Sequence, residues 1–62
     1  MLSKNLSNTD IEDIYDTLAL AIDQAGEQNE SKLLTKAVLI LSNMLGDKTQ
    51  VTEAIRIAEL DL

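Results

Sequence analysis

Residues 31–46, SKLLTKAVLILSNMLG, are too apolar for a helix lying on the surface of so small a chain. Leu33, Leu34, Ala37, Val38, Ile40, Leu41, Met44 and Leu45 recur at helical spacing and make one broad apolar face. Leu39 is a further large residue off that face. A chain of 62 residues has little else with which to cover such a helix, so the segment is expected to meet a partner or a second copy of itself. This feature constrains architecture and association. No residue in the chain declares a reaction.

Size sharpens the point. A domain of about 60 residues buries only about 60% of its unfolded-chain surface and is marginal unless it is stapled or oligomeric. The chain has no Cys and no His, which removes disulfides, thiolate metal sites, the usual zinc ligand and the usual general base. Phe and Trp are absent, Tyr15 is the single aromatic residue, and any core must be aliphatic. With no Pro and two Gly, the composition favours helix throughout.

Three helices are expected. Thr9 and Glu12 have capping-box spacing and start a helix over about Asp10–Ala25, with Asp10, Glu12 and Asp13 at its positive end. Leu6 near the entry can help to fix the chain direction. The stripe of this helix is Ile11, Ile14, Tyr15, Leu18, Ala19, Ala21, Ile22 and Ala25, with Glu12, Asp13, Asp16 and Asp23 on the other side and Leu20 among those acids. Gly26 supplies a left-handed stop. The short link Glu27–Glu30 sends the second helix back antiparallel, capped by Asn29 or Ser31 and stopped at Gly46. Asp47, with Gln50 as its capping-box partner, or else Thr49, starts a third helix that leaves at a steep angle. Its stripe is Val51, Ala54, Ile55, Ala58 and Leu62, with Ile57 and Leu60 off it. The fold class is therefore all-α. It reads as an antiparallel helical hairpin plus a short third helix, completed by dimerisation into a helical bundle. Residues 1–8 read as a flexible lead-in and 9–62 as a single domain.

The off-stripe residues Leu20, Leu39, Ile57 and Leu60 are ordinary when taken singly. Taken together they can line a second apolar surface.

The formal charge of −6 lies in the first half. Residues 1–30 carry Asp10, Glu12, Asp13, Asp16, Asp23, Glu27 and Glu30 against Lys4. Acids and cations balance in residues 31–62. That distribution argues against nucleic-acid and anionic-membrane partners, which need clustered Lys and Arg. A helix-turn-helix reading of the Gly46 turn gives a recognition helix with one Arg and two Glu, a poor match to DNA. No Asp-Ser-Leu-like motif of an acyl carrier protein is present. A signal peptide and a membrane span are not expected either, and the expected location is cytoplasmic.

Chemistry-bearing constellations are few. Glu12, Asp16 and Asp23 line one helix face and can offer oxygen ligands to a divalent cation, but the residues of an EF-hand loop are missing. A solvated acidic face is the simpler reading, and no metal or cofactor is expected. Tyr15 reads as a core or interface tyrosine with its hydroxyl at the edge. The Ser and Thr residues have no His or Lys arranged to activate them, so an enzyme is not expected. Lys32 and Lys36 can answer the acids of the first helix, within the chain or in a second copy.

The residue order also resembles a family. An acid-rich start, IYDTLALAID, a polar turn at Ser31, KAVLILSNMLGD and VTEAIRIA are similar to a family of very short bacterial helical proteins, domain of unknown function two-seven-eight-three. The matching residues are Tyr15, Leu39, Leu41, Asn43, Gly46, Asp47, Glu53 and Ala54, over about residues 10–59. Ser42 stands where the family pattern has Ala, and Met44–Leu45 where it has a polar residue and Ile; the His and Arg that relatives often carry are missing. The resemblance implies a three-helix fold and no activity. As context it implies neighbouring genes for flavin-dependent oxygenases or aromatic degradation.

The best reading from sequence is a non-enzymatic protein acting through self-association, as a dimer, with Leu18, Ile22, Leu34, Val38, Leu39, Leu41 and Leu45 at the interface. The alternative is an acidic modulator or accessory subunit that docks on a larger protein through Asp13, Asp16, Leu20 and Asp23.

Overall fold

A computed structural model describes residues 5–60. They form three α-helices joined by tight turns, with no strand among them: α1 (Asn8–Ala25), α2 (Glu30–Leu45) and α3 (Lys48–Glu59). A single 3-10 turn, Glu27–Asn29, connects α1 to α2. The chain is all-α with the expected number of helices. Leu62, expected on the third stripe, and the first four residues of the expected lead-in lie outside the described residues.

The start of α1 differs from the expectation. Ser7, not Thr9, is the N-cap, and its Oγ accepts from the Asp10 amide at 3.0 Å. Two Ser/Thr-x-x-acid frames overlap here, and the earlier one prevails for a physical reason. It places Leu6 just before the cap and Ile11 at the fourth helical position, the two positions of a hydrophobic staple. It also adds Asn8 and Thr9 to the helix.

The ends of α1 and α2 use glycine in two ways. Gly46 adopts the left-handed conformation (φ 71°, ψ 25°) and donates to the Ser42 carbonyl, as expected of a helix stop. Gly26 also has positive φ but an extended ψ (88°, 157°), so it is not the left-handed stop that was expected. This region is open essentially to glycine alone. It turns the chain abruptly into the 3-10 segment. Asn29 stands at the N-cap of α2, yet it does not cap with its side chain. Its Nδ2 donates back to the Ala25 carbonyl at 3.1 Å and ties the turn to the end of α1.

Asp47 caps α3 as expected. Its Oδ1 accepts from the Gln50 amide and its Oδ2 from Gln50 Nε2, both at 3.0 Å. The Gln50 side chain thus closes the box onto the carboxylate rather than onto the Asp47 amide. These bonds hold the Asp47 carboxyl below its ordinary range, the backbone one contributing most.

The hairpin is open. α1 and α2 touch only around their turn, through elements close in sequence. Their 18 and 16 residues make rods of about 27 and 24 Å. The molecule measures 30 × 26 × 25 Å. Its radius of gyration is 12.6 Å, against about 10.5 Å for a compact chain of this length.

Candidate functional site

No residue from 5 to 60 is buried. The best-covered side chains are only half-buried. They fall in two groups, one at the α1–α2 corner (Leu18, Ala21, Ile22, Ala25, Leu33, Leu34 and Ala37) and one at α2–α3 (Ser42, Asp47, Val51, Ala54 and Ile57). The chain exposes 5724 Å². A compact protein of this mass exposes about 4,000 Å², so roughly 1,700 Å² more surface is left open than closure on itself would leave. Apolar side chains make up much of it. Ile11, Ile14, Tyr15, Val38, Ile40, Leu41, Met44, Leu45 and Ile55 are all exposed, Tyr15 at 70%.

Two grooves flank the place where α2 meets α3. Both are lined by Ser42 and Val51, which therefore sit at the seam. The Ser42 hydroxyl donates to the Val38 carbonyl at 2.6 Å, so a small and already satisfied side chain lets α3 approach. One groove is apolar: Val38, Leu41 and Leu45 from α2 face Val51, Ala54, Ile55 and Ala58 from α3. The other is mixed, with Leu39, Asn43, Asp47, Lys48 and Thr52.

The expected interface residues divide accordingly. Leu18 and Ile22 on α1 and Leu34 on α2 are half-buried on the two sides of the α1–α2 turn. Val38, Leu41 and Leu45 come together in the apolar groove, and Leu39 lies in the mixed groove behind them. Of the four off-stripe residues, Leu39 alone lines either groove; Leu20 and Leu60 are exposed elsewhere, and Ile57 is half-buried. Val51, Ala54, Ile55 and Ala58, expected on the stripe of α3, line the apolar groove, and Ile57, expected off it, lines neither groove although it is half-buried. Sequence reasoning missed Ser42 as a packing residue. Its small size opposite Ala54 and Ala58 was the available signal.

The acids Asp13, Asp16 and Asp23 are exposed, as is Leu20 among them. Among the described residues, Glu12, Asp16 and Asp23 join no group of three or more side chains placed to hold a metal ion. No helix is long and apolar enough to cross a membrane. The one ion pair among the described residues joins Arg56 to Glu53 within α3, with Arg56 Nε donating to Glu53 Oε1 at 3.0 Å. This pair lowers the Glu53 carboxyl and raises the Arg56 guanidinium from their ordinary values. It is largely exposed and adds little to stability. Lys32 and Lys36 pair with none of the α1 acids in the single chain.

The chain matches no family model, no curated protein and no solved structure. The site must therefore be read from its own chemistry. It holds hydrocarbon surface, a few satisfied hydroxyls and solvated carboxylates. It is suited to contact with another helix.

Proposed function

We propose that this chain is a non-enzymatic helical protein that works by association, and that its partner is a second copy of itself. The observation that carries this reading is a set of amphipathic helices without one buried residue between 5 and 60. In a folded protein most of a helix's stability comes from packing its amphipathic face rather than from its own propensity, and α3, with 12 residues, is marginal alone. Hiding the roughly 1,700 Å² excess of each chain in a dimer buries about 3,400 Å² in total, within the range of obligate homodimers. The exposed set Val38, Leu39, Leu41 and Leu45 supports placing α2 at that interface. We place the protein in the cytoplasm, and with the family of short bacterial helical proteins that its residue order resembles. In this chain the Gly46–Asp47 step of that resemblance is the stop of one helix and the cap of the next.

The test is thermal unfolding followed by circular dichroism over about a hundredfold range of protein concentration. An obligate dimer melts higher as concentration rises. A midpoint that stays fixed, with full helicity, overturns the reading.

A second reading has its own observation. Leu20 is 58% exposed in the middle of the acidic face of α1, beside Asp13, Asp16 and Asp23. An acidic modulator would present that face to a basic groove on a larger protein, and its affinity would fall steeply with salt. A salt-independent affinity would count against it.

A further inference from the structure

The apolar stripe of α1 is used over only half its length. Leu18, Ala21, Ile22 and Ala25 are half-buried against the start of α2, whereas Ile11, Ile14 and Tyr15 stand exposed on the far half. These three, with Leu18, have the i, i+3, i+4, i+7 spacing by which a helix anchors in an apolar groove. The end of the molecule built from α2 and α3 holds such a groove, with Val38, Leu41, Leu45, Val51 and Ile55 along its walls. α3 is 12 residues, about 18 Å, long. The free half of α1, Asn8 to Thr17, is 10 residues, about 15 Å, and is close to it in length.

Charge selects the pairing. Among the described residues α1 carries Asp10, Glu12, Asp13, Asp16 and Asp23 and no cation. Every described cation, Lys32, Lys36, Lys48 and Arg56, lies on α2 or α3. A dimer that stacked α1 on α1 would bring ten carboxylates together. One that lays α1 on α2 and α3 sets it against helices whose Lys32, Lys36, Lys48 and Arg56 are offset by Glu30, Asp47, Glu53 and Glu59, a near-neutral surface rather than a second acidic one.

The geometry points to a reciprocal exchange: the free half of α1 that carries Ile11, Ile14 and Tyr15 from each copy lies in the α2–α3 groove of the other copy. This deepens the self-association reading and rests on it. The contact is isologous, so both grooves and both free stripes are filled by one two-fold operation and the assembly closes. Tyr15 sits at the centre of the inserted segment, with its ring on the groove and its hydroxyl at the rim.

Tyr15 also provides the test, because it is the one aromatic residue and its ring protons have no overlap. An equimolar mixture of isotope-labelled and unlabelled wild-type chains, in isotope-filtered NMR, reports only contacts between copies. The expected cross-peaks run from the Tyr15 ring to methyls of Leu41, Leu45, Val51 and Ile55. Cross-peaks between copies to Ile11 or Ile14 instead, with none to the groove, overturn the exchange. The molar mass of the same sample separates the two levels of failure. A dimer lacking the groove contacts overturns the exchange alone, and a monomer overturns self-association with it. As a second readout, Tyr15→Ala should raise the dimer Kd at least about tenfold while Tyr15→Phe leaves it unchanged, about 1.4 kcal/mol against none. Equal, negligible effects of both variants would also overturn the exchange.

Discussion

Leu41 and Leu20 make a matched pair. In the single chain Leu41 is 61% exposed and Leu20 is 58% exposed, both on helices and both far from the chain ends. If the chain worked alone, truncating either would change stability by no more than about 0.5 kcal/mol. Self-association separates them, because Leu41 lines the apolar groove and Leu20 sits among carboxylates. Full burial of a leucine side chain is worth about 1.5–3 kcal/mol, and Leu41 has somewhat more than half of that still to gain. Leu41→Ala therefore forfeits roughly 1–2 kcal/mol in each chain. A two-fold interface contains the residue twice, so the dimer loses about 2–4 kcal/mol and its Kd rises roughly 30- to 700-fold. Leu41→Asp goes further, because it buries an unpaired carboxylate, and it should abolish folding and association together. Val38→Asp should do the same. Sedimentation equilibrium gives the Kd, and circular dichroism on the same samples gives the helicity. The reasoning is refuted if Leu41→Ala and Leu20→Ala behave alike, or if Leu41→Asp is a stably folded monomer.

Three further outcomes follow from the local structure. Ser7→Ala should destabilise α1 by about 1 kcal/mol, whereas Thr9→Ala should leave its start intact; site-resolved hydrogen exchange at Asp10 and Ile11 distinguishes them. Gly46→Ala should cost about 1–2 kcal/mol for the backbone alone, since a Cβ there meets nothing within 4 Å, and Gly26→Ala should cost more because its φ and ψ admit little but glycine; the ordering of the two unfolding midpoints is the check. Asp47 has a depressed carboxyl, so its contribution to α3 is complete above the ordinary carboxylate pKa near 4 and is lost as pH falls below it. Amide protection in α3 should drop over that window, and Asp47→Asn, a neutral cap, should flatten the drop; an identical acid profile in the variant would contradict the assignment.

The helices were legible in the sequence through their periods, and the α2–α3 junction through its punctuation as well. Gly46, Asp47 and Gln50 specify a stop and a start through backbone conformation and spacing alone, and both were readable. At the N-terminus two caps of equal spacing compete. Position relative to Leu6 and Ile11 decides for Ser7, which a cap-by-cap reading does not weigh. The angles between helices were less legible. They depend on the extended positive-φ conformation of Gly26 and on the tie from Asn29 to Ala25, neither of which has a sequence period. The grooves were partly foreseen. The apolar excess of residues 31–46 announced an uncovered face, but only the folded chain puts Val38, Leu41 and Leu45 opposite Val51 and Ile55.

The central claim is that the chain completes its core with a second copy. Light scattering over a dilution series, with circular dichroism at each step, tests it most directly. Self-association predicts twice the 6.8 kDa chain mass, with helicity and mass falling together as the dimer dissociates. A particle of 6.8 kDa that keeps full helicity at every dilution would contradict it.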